Sequence, residues 1–198
     1  NIPVFDPKSN VVKGVTTYKY NPSKSFWDNW NQMGAPGSRG IVLSFADSHL
    51  GMALKLIATL RFQGNKLPIQ VIYKKGDLSD ETIEKIGYAA KSPDVSLYDT
   101  KYDKAANVPQ EIWFLDVTNT IADNWVNEFG HWKGKWLAVL FNLFDEFIFL
   151  DIDAINYVDL NEYFESPEYK ETGTIYFRDR VLGSGVSGEC TAIFESLP

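Results

Sequence analysis

Short apolar runs of strand length alternate with apolar positions at helical spacing through the middle of this 198-residue chain. Gly40-Ile41-Val42-Leu43-Ser44-Phe45 predicts the first strong strand. Leu50, Leu54, Ile57 and Leu60, with Ala53 on the same side, then recur at helical spacing. Asp47 or Ser48 is placed to cap that helix, and Gly64-Asn65 supplies a left-handed stop. Pro68 opens a second strand, Ile69-Gln70-Val71-Ile72-Tyr73. After a Gly76-Asp77 turn, Ser79 is placed to cap a helix carrying Ile83 and Ile86. Residues 91–109 read as loop with a short strand near Val95–Leu97. Ile112-Trp113-Phe114-Leu115 is a further strand ending at Asp116. A helix is expected from Lys135 to Phe144, with Trp136, Leu140 and Phe144 on one face, and Phe147-Ile148-Phe149-Leu150 reads as a buried strand. Upstream, residues 1–38 are aromatic-rich and broken by Pro22, Gly34, Pro36 and Gly37, with Phe26, Trp27 and Trp30 suited to a short amphipathic helix. Strands alternating with helices predict an α/β fold, Rossmann-like, with a mainly parallel sheet and helices on its faces.

Composition narrows the class without naming a reaction. A hydrophobic fraction of 44%, with 15% aromatic residues, supports a substantial core in one domain or most of one. The net charge of −7, with no cluster of Lys and Arg, excludes nucleic acid as a natural partner. Cys190 is the single cysteine, so it forms no internal disulfide and has no companions at metal-ligand spacing. No apolar run reaches membrane length, so any membrane attachment is expected through an anchor outside this sequence. Beginning at Asn1 without a Met, the chain reads as an excerpt of something longer.

The chemistry concentrates where the last strand ends. Asp151-Ile152-Asp153 follows four apolar residues, and the carboxyl edge of a parallel sheet is where open α/β folds bind ligands. Carboxylates are hard ligands suited to Mn²⁺ or Mg²⁺, which in turn bind phosphate oxygens. Asp151 and Asp153 are therefore candidate metal ligands for a phosphorylated substrate, nucleotide-sugars foremost. The competing reading is two acids capping a strand at the surface. Ser44, Phe45 and Tyr73 end neighbouring strands and are candidates to hold a nucleotide, by hydrogen bonding at Ser44 and by stacking at Phe45 or Tyr73. Lys135 is placed to neutralise a diphosphate. No role is assigned to His49 or His131, and no catalytic nucleophile is evident. An aspartyl phosphohydrolase also carries Asp-x-Asp after an apolar strand, but usually with Thr or Val where this chain has Ile155. The dinucleotide fingerprint G-x-G-x-x-G is missing after the first strand.

Longer stretches carry a resemblance. Lys135-Trp136-Leu137-Ala138, the run from Phe144 to Asp153, and Tyr163-Phe164-Glu165-Ser166-Pro167-Glu168-Tyr169, continuing to Arg180, resemble the fungal α-1,3-mannosyltransferase family. Arg39–Ser44 and Gly64–Val71 are similar to that family's opening β-α-β. The resemblance implies a GT-A type glycosyltransferase fold, a GDP-mannose donor, Mn²⁺ with Mg²⁺ as the alternative cation, and a mannose-terminated N- or O-glycan acceptor. It implies retention of the α configuration, and a type II membrane protein with its catalytic domain in the Golgi lumen. On that pattern Asp151 and Asp153 organise metal and diphosphate, Asp153 by direct coordination and Asp151 at the metal or the ribose, while Lys135 assists and Ser44 and Phe45 serve the nucleotide. The implied organisation is an N-terminal packing segment (1–38), a nucleotide-sugar-binding catalytic domain (39–180) and a partial C-terminal segment (181–198). Because the Gly/Ser-rich text after Arg180 departs from the pattern, a truncated, inactive module that binds a nucleotide or a partner enzyme stands as the alternative.

Overall fold

The computed structural model describes residues 11–13, 21–34, 36–93 and 108–177. Five parallel strands make one sheet: β1 (Val11–Lys13), β2 (Arg39–Leu43), β3 (Ile69–Tyr73), β4 (Ile112–Asp116) and β5 (Glu146–Phe149). Their spatial order is β1-β4-β3-β2-β5. Helices α1 (Phe26–Asn31), α2 (Leu50–Phe62), α3 (Asp80–Lys91) and α4 (Gly134–Phe141) accompany the sheet. This is the α/β, Rossmann-like arrangement expected of a GT-A fold. The chain divides into two compact units, Asn1–Asn161 and Glu162–Pro198. In the second, Ser166 caps the short helix Pro167–Thr172, which Gly173 ends in the left-handed conformation at φ 73°.

Alternation along the strands sorts the core into two layers. Ile41, Leu43, Ile69, Val71, Ile112 and Phe114 share one face by register and are buried. Val42, Ile72 and Leu115 point the other way, into a cluster with Trp30, Leu137, Ala138 and Phe141. Each such aliphatic side chain contributes about 1.5–3 kcal/mol on burial. α2 and α3 pack on each other, and the buried Arg61 joins them, donating to the carbonyls of Ala89 and, at 2.7 Å, Ser92. Those carbonyls lie at the C-terminal end of α3, where a guanidinium complements the helix dipole. Desolvation holds the Arg61 pKa below its ordinary value.

Three expectations are corrected. The start of α2 is not capped by Asp47 or Ser48: residues 47–49 form a 3₁₀ turn without a side-chain cap, and the Asp47 carboxylate accepts instead from the Ser79 amide at 2.9 Å. α4 stops at Phe141 rather than Phe144, because the Asn142 amide turns back to the carbonyls of Ala138 and Val139. Its buried face is Leu137, Ala138 and Phe141, while Trp136 and Leu140 are exposed. Finally, β5 is an edge strand among the described residues and its side chains are half-buried, so its apolar run is not that of a fully covered strand. The short strand expected near Val95–Leu97 lies outside the described residues. The expected caps and helices at Ser79 and Phe26–Trp30 are present, Ser79 accepting from the Thr82 amide at 3.3 Å.

Candidate active site

Sheet order decides where a ligand can enter. β2, β3 and β4 step outward in one direction, whereas β5 joins β2 on the other side. The carboxyl ends of β2 and β5 therefore flank a topological switch point, where the loops leaving them diverge and open a crevice. A cavity of about 530 Å³ lies there, a size suited to a small ligand. Its walls come from the loop after β2 (Ser44, Phe45, Ala46), the turn before α4 (Phe129, Gly130, Trp132) and the turn after β5 (Asp151, Ile152, Asp153).

Each wall is held by local chemistry. Leu150 continues the ladder past β5 by donating to the Val42 carbonyl at 3.0 Å, and Ala154 donates to the Asp151 carbonyl at 3.0 Å, closing a turn. That turn buries Ile152 and leaves both acids on the cavity. The β2 loop is tied to the start of α3 through Asp47: its carboxylate accepts from Ser79, and its own amide donates to the Asp77 carbonyl at 2.8 Å. The Ser79 amide, followed by the Thr82 hydroxyl, holds the Asp47 carboxyl below its usual range. Gly134, the first residue of α4, comes so near β2 that a Cβ there would stand 3.5 Å from the Ser44 hydroxyl. No side chain caps α4, and its first residues, Gly134 and Lys135, line the cavity.

The Lys135 ammonium is the centre of this end of the cavity. It lies 2.5 Å from Asp151 Oδ2 and 4.4 Å from the centroid of the Trp132 ring. Asp151 also accepts from the Ile152 amide at 3.2 Å. Asp153 is exposed and makes no hydrogen bond or ion pair with the described residues. Asp77 lines the cavity too but is engaged by Lys74 at 2.8 Å.

Of the residues singled out from sequence, Ser44, Phe45, Lys135, Asp151 and Asp153 line this one cavity. Phe45 is only 7% exposed, so it forms a wall rather than an open stacking surface. Tyr73 is not among the lining residues. It pairs in register with Asp116, and burial, then the charges of Asp116 and Asp80, push its phenol up to about 12. The turn Phe129–Gly134 was not singled out. Its only local signal is a Gly-aromatic-Gly composition just before the helix that carries Lys135.

The donor set suits a hard cation held jointly with a substrate. Among the described residues no three His, Cys, Asp or Glu side chains gather into a ready-made metal cluster. Two carboxylates are what Mg²⁺-like ions commonly take from protein when phosphate oxygens complete the shell. Without a cation between them, Asp151 and Asp153 would repel a diphosphate.

Comparison with known proteins gives the family. A mannosyltransferase family model matches residues 38–198. The chain is 50% identical over 197 residues to the alpha-1,3-mannosyltransferase MNN1 of Saccharomyces cerevisiae, covering 99% of this chain and 26% of that protein. It is 32% identical over 179 residues to the alpha-1,3-mannosyltransferase MNT2 of the same yeast, covering 90% of this chain and 30% of that one. With MNT3, also from that yeast, identity is 32% over 163 residues, covering 82% and 23%. The chain thus spans about a quarter to a third of the length of these relatives. With the expected parallel sheet and a family match over most of its length, this chain belongs to the fungal α-1,3-mannosyltransferase family.

Proposed function

We propose that this chain supplies the donor-binding part of an Mn²⁺-dependent, retaining α-1,3-mannosyltransferase that moves mannose from GDP-mannose to a mannose-terminated N- or O-glycan. The observation that carries this reading is the convergence of Asp151, Asp153, Lys135 and the uncapped start of α4 on one cavity at the sheet's switch point. Asp151 and Asp153 would hold the cation, which supplies Lewis-acid neutralisation of charge on the departing diphosphate. Lys135 releases Asp151 and adds its ammonium to the diphosphate. Ser44 donates to or accepts from the nucleotide at the β2 side. Retention, as the family resemblance implies it, has the acceptor hydroxyl attack from the leaving-group face. The family resemblance supports a Golgi-lumenal site of action in a longer, membrane-anchored protein.

Calorimetric titration of GDP and UDP, with and without Mn²⁺, tests the donor site on the purified chain. GDP is expected to bind in an Mn²⁺-dependent way, and Asp153→Ala to abolish that dependence. Binding of neither nucleotide by a folded chain would sink the reading and favour an inactive module.

A further inference from the structure

The donor cavity has one wall whose chemistry phosphate binding does not use. Trp132 stands at its rim, 74% exposed, with the Lys135 ammonium over its ring. Trp136 follows four residues later and is 67% exposed; Leu140, one turn further along α4, is 54% exposed. Spacing of four residues sets Trp136 and Leu140 on one side of the helix, so the apolar strip starts at the cavity and runs away from it along α4.

We propose that Trp132 and Trp136 form the platform on which the terminal mannose units of the acceptor glycan stack. The inference rests on the donor-site reading and deepens it. Exposed indoles cost free energy in water, and the apolar C–H face of a pyranose covers such a ring while its hydroxyls stay solvated. One feature favours a glycan over other occupants. Trp132 lines the same cavity as Asp151 and Asp153, so a sugar on its ring lies beside the donor site. Buried Phe45 offers no comparable face.

Saturation-transfer NMR and tryptophan fluorescence with an α-linked mannobiose, run on the full chain with Mn²⁺ and GDP, test the assignment; a galactose disaccharide is the control. Mannobiose is expected to perturb indole emission where the control does not. Trp132→Ala should weaken mannobiose at least tenfold and Trp136→Ala about threefold, with circular dichroism confirming the fold of each variant. GDP titrated in parallel separates the two readings. Mannobiose binding untouched by both substitutions, or none at all while GDP binds, overturns the platform and leaves the strip to protein contact. Failure of GDP to bind overturns the donor reading and the platform with it.

Discussion

The pair Lys135–Asp151 does the most with the fewest atoms. At 29% and 44% side-chain exposure the two groups are partly solvated, so their attraction contributes only about 0–1 kcal/mol to folding. Its value lies in ligand binding: the ammonium keeps the carboxylate poised until a cation and diphosphate replace it. Lys135→Met should therefore lower Mn²⁺-supported GDP affinity about tenfold while thermal melts move little; a large fall in melting temperature with unchanged affinity would make the pair structural instead. Tyr73 behaves differently. Its folded pKa, raised from 10.0 to about 12, means that the unfolded chain loses this proton first as pH rises. The associated stability is full below pH 10 and is lost as pH climbs through 12. Urea melts across that window should show Tyr73→Phe flattening the alkaline decline, and an unchanged slope would contradict the assignment. Asp47 has the opposite sign: its depressed pKa gives stability present above 3.8 and lost as pH falls through the folded value, and Asp47→Asn should flatten the acid limb.

Among the elements, the contact between β2 and the segment after α4 is the least forgiving. A Cβ on Gly40 would sit 2.2 Å from the Phe144 ring, and Leu143 is pinned beside it by donating to Gln70 Oε1 at 2.9 Å. Gly40→Ala should cost about 1–3 kcal/mol, read as a fall in melting temperature of roughly 2–4 °C per kcal/mol. Pairing it with Phe144→Leu should restore part of the loss, and melts unaffected by Gly40→Ala would refute the contact. The same region shows what sequence can and cannot convey. β2, α2 and β3 were legible because their apolar periods and flanking Gly, Pro and Ser are local signals. The sequence signals α4 but leaves its buried face ambiguous, since Trp136 and Leu140 make one apolar stripe and Leu137 and Phe141 another. Packing chooses between them: Leu137 and Phe141 join Val42, Ile72 and Leu115 of the sheet, and α1 covers Phe141, with Trp27 stacked at 5.8 Å and Trp30 edge-on at 5.3 Å. Asp151 and Asp153 were legible because strand-then-acid is a local pattern. Trp132 was not, because its place on the cavity depends on a connection that carries the chain from β4 past two strands to β5.

That connection also sets the timetable on which the whole molecule folds. β2 has β3 on one side soon after both are made, but its other edge waits for β5, which forms its ladder from Arg39 to Val42. At a synthesis rate of about 5–20 residues per second, the stretch of about 100 residues between β2 and β5 delays that partner by roughly 5–20 s. Through that interval the nascent chain carries an apolar strand with open amides and carbonyls along one side, the kind of template on which chains cross-pair. Release of the chain before residue 146 should accordingly yield aggregates, and chains extended through Phe149 should stay soluble, as sedimentation of stalled translation products would show. The arrangement that creates the cleft thus exacts a vulnerable period during synthesis, one that chaperones would have to cover.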